Sequence, residues 1–152
     1  MKAEYIHGEG VIMPLDLSSL KKAVDSLERT IGAAISDDKM NALDADQRDA
    51  IRAGVIQNFE FTYKLSWKMM KRWLEHNLGN VQVDGVSRRE LFRLGAESQL
   101  IDDVEQWMEF HSARNETAHT YDQETAGDVF QVALRFLGPA KGLLMTLESK
   151  ND

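Results

Sequence analysis

Between Asp44 and Leu78 the chain runs without a proline and with a single glycine, Gly54. Helical spacing holds throughout this stretch, so it predicts one unbroken helix of roughly nine turns at about 3.6 residues each. Asp44 opens it, with Gln47 three residues on as in a capping box. Ile56, Phe59, Tyr63, Trp67, Met70 and Leu74 form one apolar stripe. Phe61, Leu65, Met69 and Trp73 form a second, offset by two residues. A helix apolar over so much of its circumference is either central in a bundle or shared with a second chain. The aromatics of the two stripes read as core, with nucleobase stacking by Trp67 or Trp73 as the sharper alternative.

The other segments are shorter and have one apolar face each. Leu17, Leu20, Val24, Leu27 and Ile31 mark a first helix opening near Asp16 or Ser18, and Ser36-Asp37-Asp38 begins a connection. Gly79 to Gly85 reads as a loop. Ser87 with Glu90 then forms a capping box for a short helix carrying Leu91, Phe92 and Leu94 to about Ser98. Ile101, Val104, Trp107 and Met108 share a side with His111, which therefore reads as a satisfied, half-buried histidine. Asp122 with Thr125 opens a last helix whose apolar face is Val129, Phe130, Ala133, Leu134 and Leu137. Gly138-Pro139 kinks or interrupts it before Leu143, Leu144 and Leu147. These segments predict an all-α protein, an antiparallel bundle of four long helices and one short one. Residues 1–14 show no period and are expected to be a flexible arm, with one domain over residues 15–149.

Composition narrows the function. With 152 residues the chain can bury one core without staples, and with no cysteine it has neither disulfides nor thiolate metal sites, as suits a reducing cytoplasm. No run of 18 apolar residues suggests a membrane span. The net charge of −7 argues against sequence-blind coating of nucleic acid but leaves room for a local basic cleft. Glycine-rich phosphate loops and the His-Glu-x-x-His zinc motif are missing, and His7, His76, His111 and His119 have no ligand spacing, so no metal and no cofactor are expected.

Two basic groups stand out. Lys64, Lys68, Lys71 and Arg72 lie between the two stripes of the long helix, with Glu60 one turn before Lys64 and placed to pair with it. They read as a solvated face or as a landing strip for RNA phosphates or an acidic partner. Arg88, Arg89 and Arg93 sit at the start of the short helix, where positive charge opposes the helix dipole. They read as surface ion pairs or as an anion site.

The densest chemistry lies in Arg114-Asn115-Glu116-Thr117-Ala118-His119-Thr120-Tyr121, at a helix boundary. On a continuous helix Arg114 and His119 would point about 140° apart, at roughly 100° per residue. They share a site only if the helix bends or ends there, or if a second chain completes it. The pattern Arg-x4-His-x-Tyr with a polar residue after the arginine resembles the HEPN superfamily, and more closely its HepT-like branch, also called nucleotidyltransferase substrate-binding proteins. Arg48-Asp49, the run Ile56 to Lys68, Ser87 to Glu90, and Leu100 to Asp103 through Trp107 match in the same order. The resemblance covers about Leu15 to Leu147.

The resemblance implies a homodimeric helical bundle with a cognate minimal nucleotidyltransferase as partner. It implies metal-independent RNA cleavage by Arg114 and His119, assisted by Asn115. An imidazole near neutrality moves protons at the ribose 2′-hydroxyl or the leaving 5′-oxygen, and a guanidinium stabilises charge developing on phosphorus. Tyr121 resembles the tyrosine that the partner modifies with AMP, adding bulk and negative charge beside the site. The chain lacks the Gly-Ser motif and metal-binding aspartates of a nucleotidyltransferase, so it is not the transferase itself. Two readings stay open: a toxin ribonuclease silenced by its nucleotidyltransferase antitoxin, and a non-catalytic subunit binding substrate or nucleotide for that transferase.

Overall fold

A computed structural model describes residues 5–6, 11–12 and 15–151. Two short strands, β1 (Tyr5–Ile6) and β2 (Val11–Ile12), pair antiparallel, Tyr5 opposite Ile12. The other positions of the expected arm, 1–4, 7–10 and 13–14, lie outside the described residues. Seven α-helices follow among the described residues: α1 (Ser18–Ala34), α2 (Asp37–Asn41), α3 (Ala45–Leu78), α4 (Asn80–Val83), α5 (Arg88–Glu97), α6 (Val104–Asn115) and α7 (Gln123–Ser149). A 3₁₀ turn, Glu116–His119, joins the last two.

The fold is the expected helical bundle, with α3 as its strut. The Asp44 carboxylate accepts from the Gln47 N–H at 2.8 Å and the Gln47 amide oxygen from the Asp44 N–H at 3.0 Å, the reciprocal box that fixes where α3 starts. Ile56, Phe59, Tyr63, Met70 and Leu74 are buried in the core, and Trp67 is half-buried; α1 and α7 pack along the same helix. Leu20, Val24, Leu27 and Ile31 of α1 meet them. The second stripe is covered unevenly. Met69 is buried, Leu65 and Trp73 are half-buried, and Phe61 is 56% exposed. The buried hydroxyls of Thr62 and Ser66 donate to the carbonyls of Ala23 and Thr62, so burying these polar groups leaves no bond unmade.

Four details depart from expectation. Asp37–Asn41 forms a helical turn because Ser36 caps it and Met40 buries beneath it. The 79–85 segment contains the turn α4, anchored by fully buried Val83 and flanked by Gly79 and Gly85 at φ of 96° and 73°, values that favour glycine. At the start of α5 the Ser87 hydroxyl accepts from the Glu90 N–H at 3.1 Å, but the Glu90 carboxylate turns to Arg93 instead of closing the box. Of the kink or interruption expected at Gly138-Pro139, the interruption is absent: helix α7 continues through Pro139, and Phe136, Ala140, Leu143 and Leu144 bury a continuous face across it.

Candidate functional site

Helix α6 opens on the Asp103 carboxylate, which accepts from the Gln106 N–H at 3.1 Å. Trp107, Phe110 and Ala113 point inward, which leaves His111 and Arg114 half-exposed on the side facing α3. The helix ends at Asn115 for a local reason. The Thr117 hydroxyl lies 2.7 Å from the Arg114 carbonyl, taking an acceptor that helix termini leave free. The Thr120 hydroxyl does the same to Thr117 at 3.2 Å. Asp122 then restarts the chain, its Oδ2 accepting from the N–H and hydroxyl of Thr125 at 3.0 and 2.8 Å. The helix break on which a shared Arg114–His119 site depends is therefore present.

Arg114 reaches towards α3, its Nη2 3.8 Å from the Glu60 carboxylate. Glu60 thus faces Arg114, not Lys64 as its spacing suggested. Arg114, Glu60 and Lys64, with Gln57, Asn58 and Phe61, line a shallow cavity of about 390 Å³. His119 is exposed and meets the Tyr121 ring edge-on, centroids 6.1 Å apart, and Tyr121 is 84% exposed. Asn115 lies beside His111, Nδ2 to Nε2 3.5 Å. One junction thus carries all four motif residues, in two groups: Arg114 with Asn115, and His119 with Tyr121. No hydrogen bond joins the two groups among the described residues.

The basic candidates separate in the same way. Lys64 shares the cavity with Arg114. Arg88 lies over the Trp67 ring, 3.6 Å from its centroid, and Lys68 lies 5.9 Å from the same ring. Lys71 pairs with Glu75 at 3.1 Å, Arg89 with Glu105, and Arg93 with Glu90 and Glu97. Arg72 is exposed, farther along α3. A third group is legible only in three dimensions: the hydroxyl of Tyr63, itself 1% exposed, lies 2.9 Å from His111 Nδ1. Burial pushes the Tyr63 phenol up to about 12, against the opposing pull of Arg88 and Arg114. Burial and then the same two arginines lower His111 below its ordinary value. Both residues sit on apolar stripes, and nothing in their spacing announces that they meet.

His111 makes stability depend on pH. Its folded-state pKa lies below the unfolded value of 6.5, so the unfolded chain binds the proton more readily. The contribution is complete above that value and is lost as pH falls through it. The expected result is a urea midpoint that drops on acidification below about pH 6.5, and drops less in His111→Gln. Equal slopes for the two proteins would contradict it.

Among the described residues no three His, Asp or Glu side chains gather as a metal site, and no helix is long and apolar enough to cross a membrane. Residues 15–149 match the profile of a family described as nucleotidyltransferase substrate binding protein like. A Haemophilus influenzae protein named "Probable ribonuclease HepT" is 35% identical over 139 residues, which span 91% of this chain and 95% of that one. A solved Haemophilus influenzae structure, described as the fold of a substrate binding domain of a nucleotidyltransferase, superposes with a TM-score of 0.83 at 34% identity. It covers 88% of this chain and 99% of its own. A Thermus thermophilus structure shares the fold at a TM-score of 0.67 and 24% identity, covering 84% and 98%.

Proposed function

The chain belongs to the nucleotidyltransferase substrate binding protein like family, and from that premise we propose that it is a metal-independent endoribonuclease, the toxin of a toxin–antitoxin pair. The observation that carries the reading is the α6–α7 junction, which exposes His119 and Tyr121 and turns Arg114 into a cavity with Lys64. The name of the Haemophilus relative supports the same chemistry. In this reading His119 removes the 2′-hydroxyl proton, the 2′-oxygen attacks phosphorus, and the 5′-oxygen leaves with a proton, producing a 2′,3′-cyclic phosphate. Arg114 holds the phosphate and the charge that builds on it. In the same reading Asn115 orients the ribose, and Lys64, Lys68 and Arg88 hold flanking phosphates. Lys71 and Arg89 are already matched by carboxylates and contribute less.

One imidazole cannot serve both sides of phosphorus at once, so a second copy supplies the acid from its own motif. The exposed Phe61 beside half-buried Leu65 on α3 gives such a dimer an apolar contact. Light scattering at micromolar concentration is expected to return twice the chain mass, and a monomeric mass would remove this step. The purified protein is expected to cut RNA in excess EDTA and leave cyclic phosphate ends. Intact RNA, or cutting only with magnesium, would overturn the reading.

The antitoxin in this proposal is a cytoplasmic minimal nucleotidyltransferase that adds AMP to Tyr121. With that enzyme, ATP and magnesium, intact mass should rise by whole AMP units on Tyr121 and not in Tyr121→Phe. An active transferase that leaves Tyr121 unmodified would count against it. A second reading, a non-catalytic subunit that presents substrate or nucleotide to the transferase, is favoured by one observation. A groove of about 700 Å³ lined by Arg52, Ile56, Thr120, Gln123, Phe130 and Gln131 has Thr120 of the motif in its wall and room for a nucleotide.

A further inference from the structure

Trp67 of α3 is half-buried, and its ring is already in contact with a cation. The Arg88 guanidinium lies over it, 3.6 Å from the centroid, and the Lys68 ammonium lies 5.9 Å from the same centroid. Two positive charges therefore share one indole. Among the described residues neither is in an ion pair, although the chain has 25 carboxylate side chains to 18 basic ones. Their neighbours are matched: Lys71 by Glu75, Arg89 by Glu105, and Arg93 by Glu90 and Glu97. Arg88 is also the first residue of α5, where the helix dipole disfavours a cation. Packing on Trp67 explains where Arg88 sits. It does not explain two like charges left on one ring without a carboxylate.

The pair continues the surface that holds Arg114. Arg114 lies against Glu60 and shares a cavity with Lys64. Glu60, Lys64, Trp67 and Lys68 fall at i, i+4, i+7 and i+8, on one face of α3. From Glu60 to Trp67 the helix rises about 10 Å, at roughly 1.5 Å per residue. A stacked strand covers that length in about three nucleotides, at roughly 3.4 Å each, and an extended strand in fewer. One face of the Arg88 guanidinium rests on the indole, so a ligand meets its other face and its edge. Both suit a nucleotide, since the flat cation stacks on a base and its N–H groups donate to phosphate.

We infer that Arg88, supported by Trp67, is a nucleobase platform: a subsite for one base of single-stranded RNA, within about three nucleotides of the phosphate gripped by Arg114, with Lys68 drawing in the phosphate beside that base. The inference rests on the ribonuclease reading for the ligand's being RNA, and on the contacts at Trp67 for the place. The indole holds the guanidinium plane in position before a base arrives, so little freedom is lost on binding. Lys68 is a point charge on a flexible stem and adds attraction without orientation. An acidic protein surface would be answered by ammonium groups alone, whereas a flat, supported cation favours a ring. Every base has a face to stack, so the subsite sets the register of the strand against Arg114 without choosing a sequence.

The test measures binding of the whole protein to a short single-stranded oligoribonucleotide methylated at every 2′-oxygen, which cannot be cut through that oxygen. An abasic site is moved along it one position at a time. For the wild type one position is expected to stand out, loss of its base weakening binding about tenfold. In Arg88→Met that position should no longer matter. Arg88→Lys, which keeps the charge without the plane, should be as indifferent to it. Lys68→Ala should keep the preference for a base there and lower the salt dependence of binding. A merely structural Arg88 would lower affinity by the same factor at every position, and that result, or no binding by the wild type, would overturn the inference. So would unchanged RNA binding by Arg88→Met together with lost binding to the nucleotidyltransferase, which would give the surface to a protein partner. Cleavage of unmodified RNA by a wild type that shows no position-dependent effect would sink the platform alone. A position-dependent effect without cleavage would sink the nuclease reading and leave a nucleotide-binding subsite.

Discussion

Induced on its own, the wild-type chain is expected to arrest growth, and His119→Ala or Arg114→Ala to grow normally. Loss of a general acid–base histidine lowers a rate by roughly 10²–10⁴-fold, and loss of a group that stabilises charge in the transition state by roughly 10²–10³-fold. Either loss takes a toxic ribonuclease below the level at which it harms a cell. Misfolding does not offer a rival explanation. His119 is exposed and in a 3₁₀ turn, and Arg114 is 39% exposed with a single ion pair to Glu60. A pair that open to water contributes at most about 1 kcal/mol. Equal arrest by all three proteins would remove the motif from the active site. Equal, healthy growth by all three would favour the binding-subunit reading, and the groove lined by Thr120 and Gln123 would become the place to look for a nucleotide.

What the sequence reveals and what it hides follow from distance along the chain. Asp44 with Gln47, and Asp122 with Thr125, are visible because a cap is made by residues three apart. The stripes of α1 and α3 are visible because burial repeats with the helix turn. The end of α6 at Asn115 is visible as a crowding of polar residues that compete for the backbone. Glu60 shows the limit. Spacing offers it Lys64, but packing α6 across α3 brings Arg114 within 3.8 Å, and a guanidinium fixed by a helix prevails over a flexible ammonium on the surface. The Tyr63–His111 bond and the seat of Arg88 on Trp67 depend in the same way on which faces of α3, α5 and α6 meet. No local rule carries that information. Pro139 shows the converse, a strong local signal against continuing a helix that is overruled by the buried residues on either side of it.

Phe136→Ala is expected to destabilise the protein by about 3–5 kcal/mol, the usual result of hollowing a packed aromatic site. Phe136 is fully buried on α7 and meets four rings. It packs edge-on to Phe59 at 5.2 Å, Phe110 at 4.9 Å and Trp107 at 5.7 Å, and against Tyr63 at 6.3 Å. Phe59 and Tyr63 belong to α3, Trp107 and Phe110 to α6. One ring from α7 therefore wedges the two helices that carry Glu60 and Arg114, and its loss leaves a cavity that four rigid aromatics cannot close by small shifts. Against a typical total of about 5–15 kcal/mol, this is a large fraction of the stability. For a chain of this size it corresponds to a fall in Tm of roughly 10 °C or more. Met145→Ala, on the exposed face of the same helix, should move Tm by no more than a degree or two. The wedge also predicts a local consequence. Tyr63 rests on Phe136, so its bond to His111 should loosen in Phe136→Ala even at temperatures where the variant is folded. The imidazole 15N signals of His111 would report that as a change in their shifts. A Tm drop of less than about 3 °C would show that the cluster relaxes around the gap, and that α3 and α6 are held in register by contacts other than this ring.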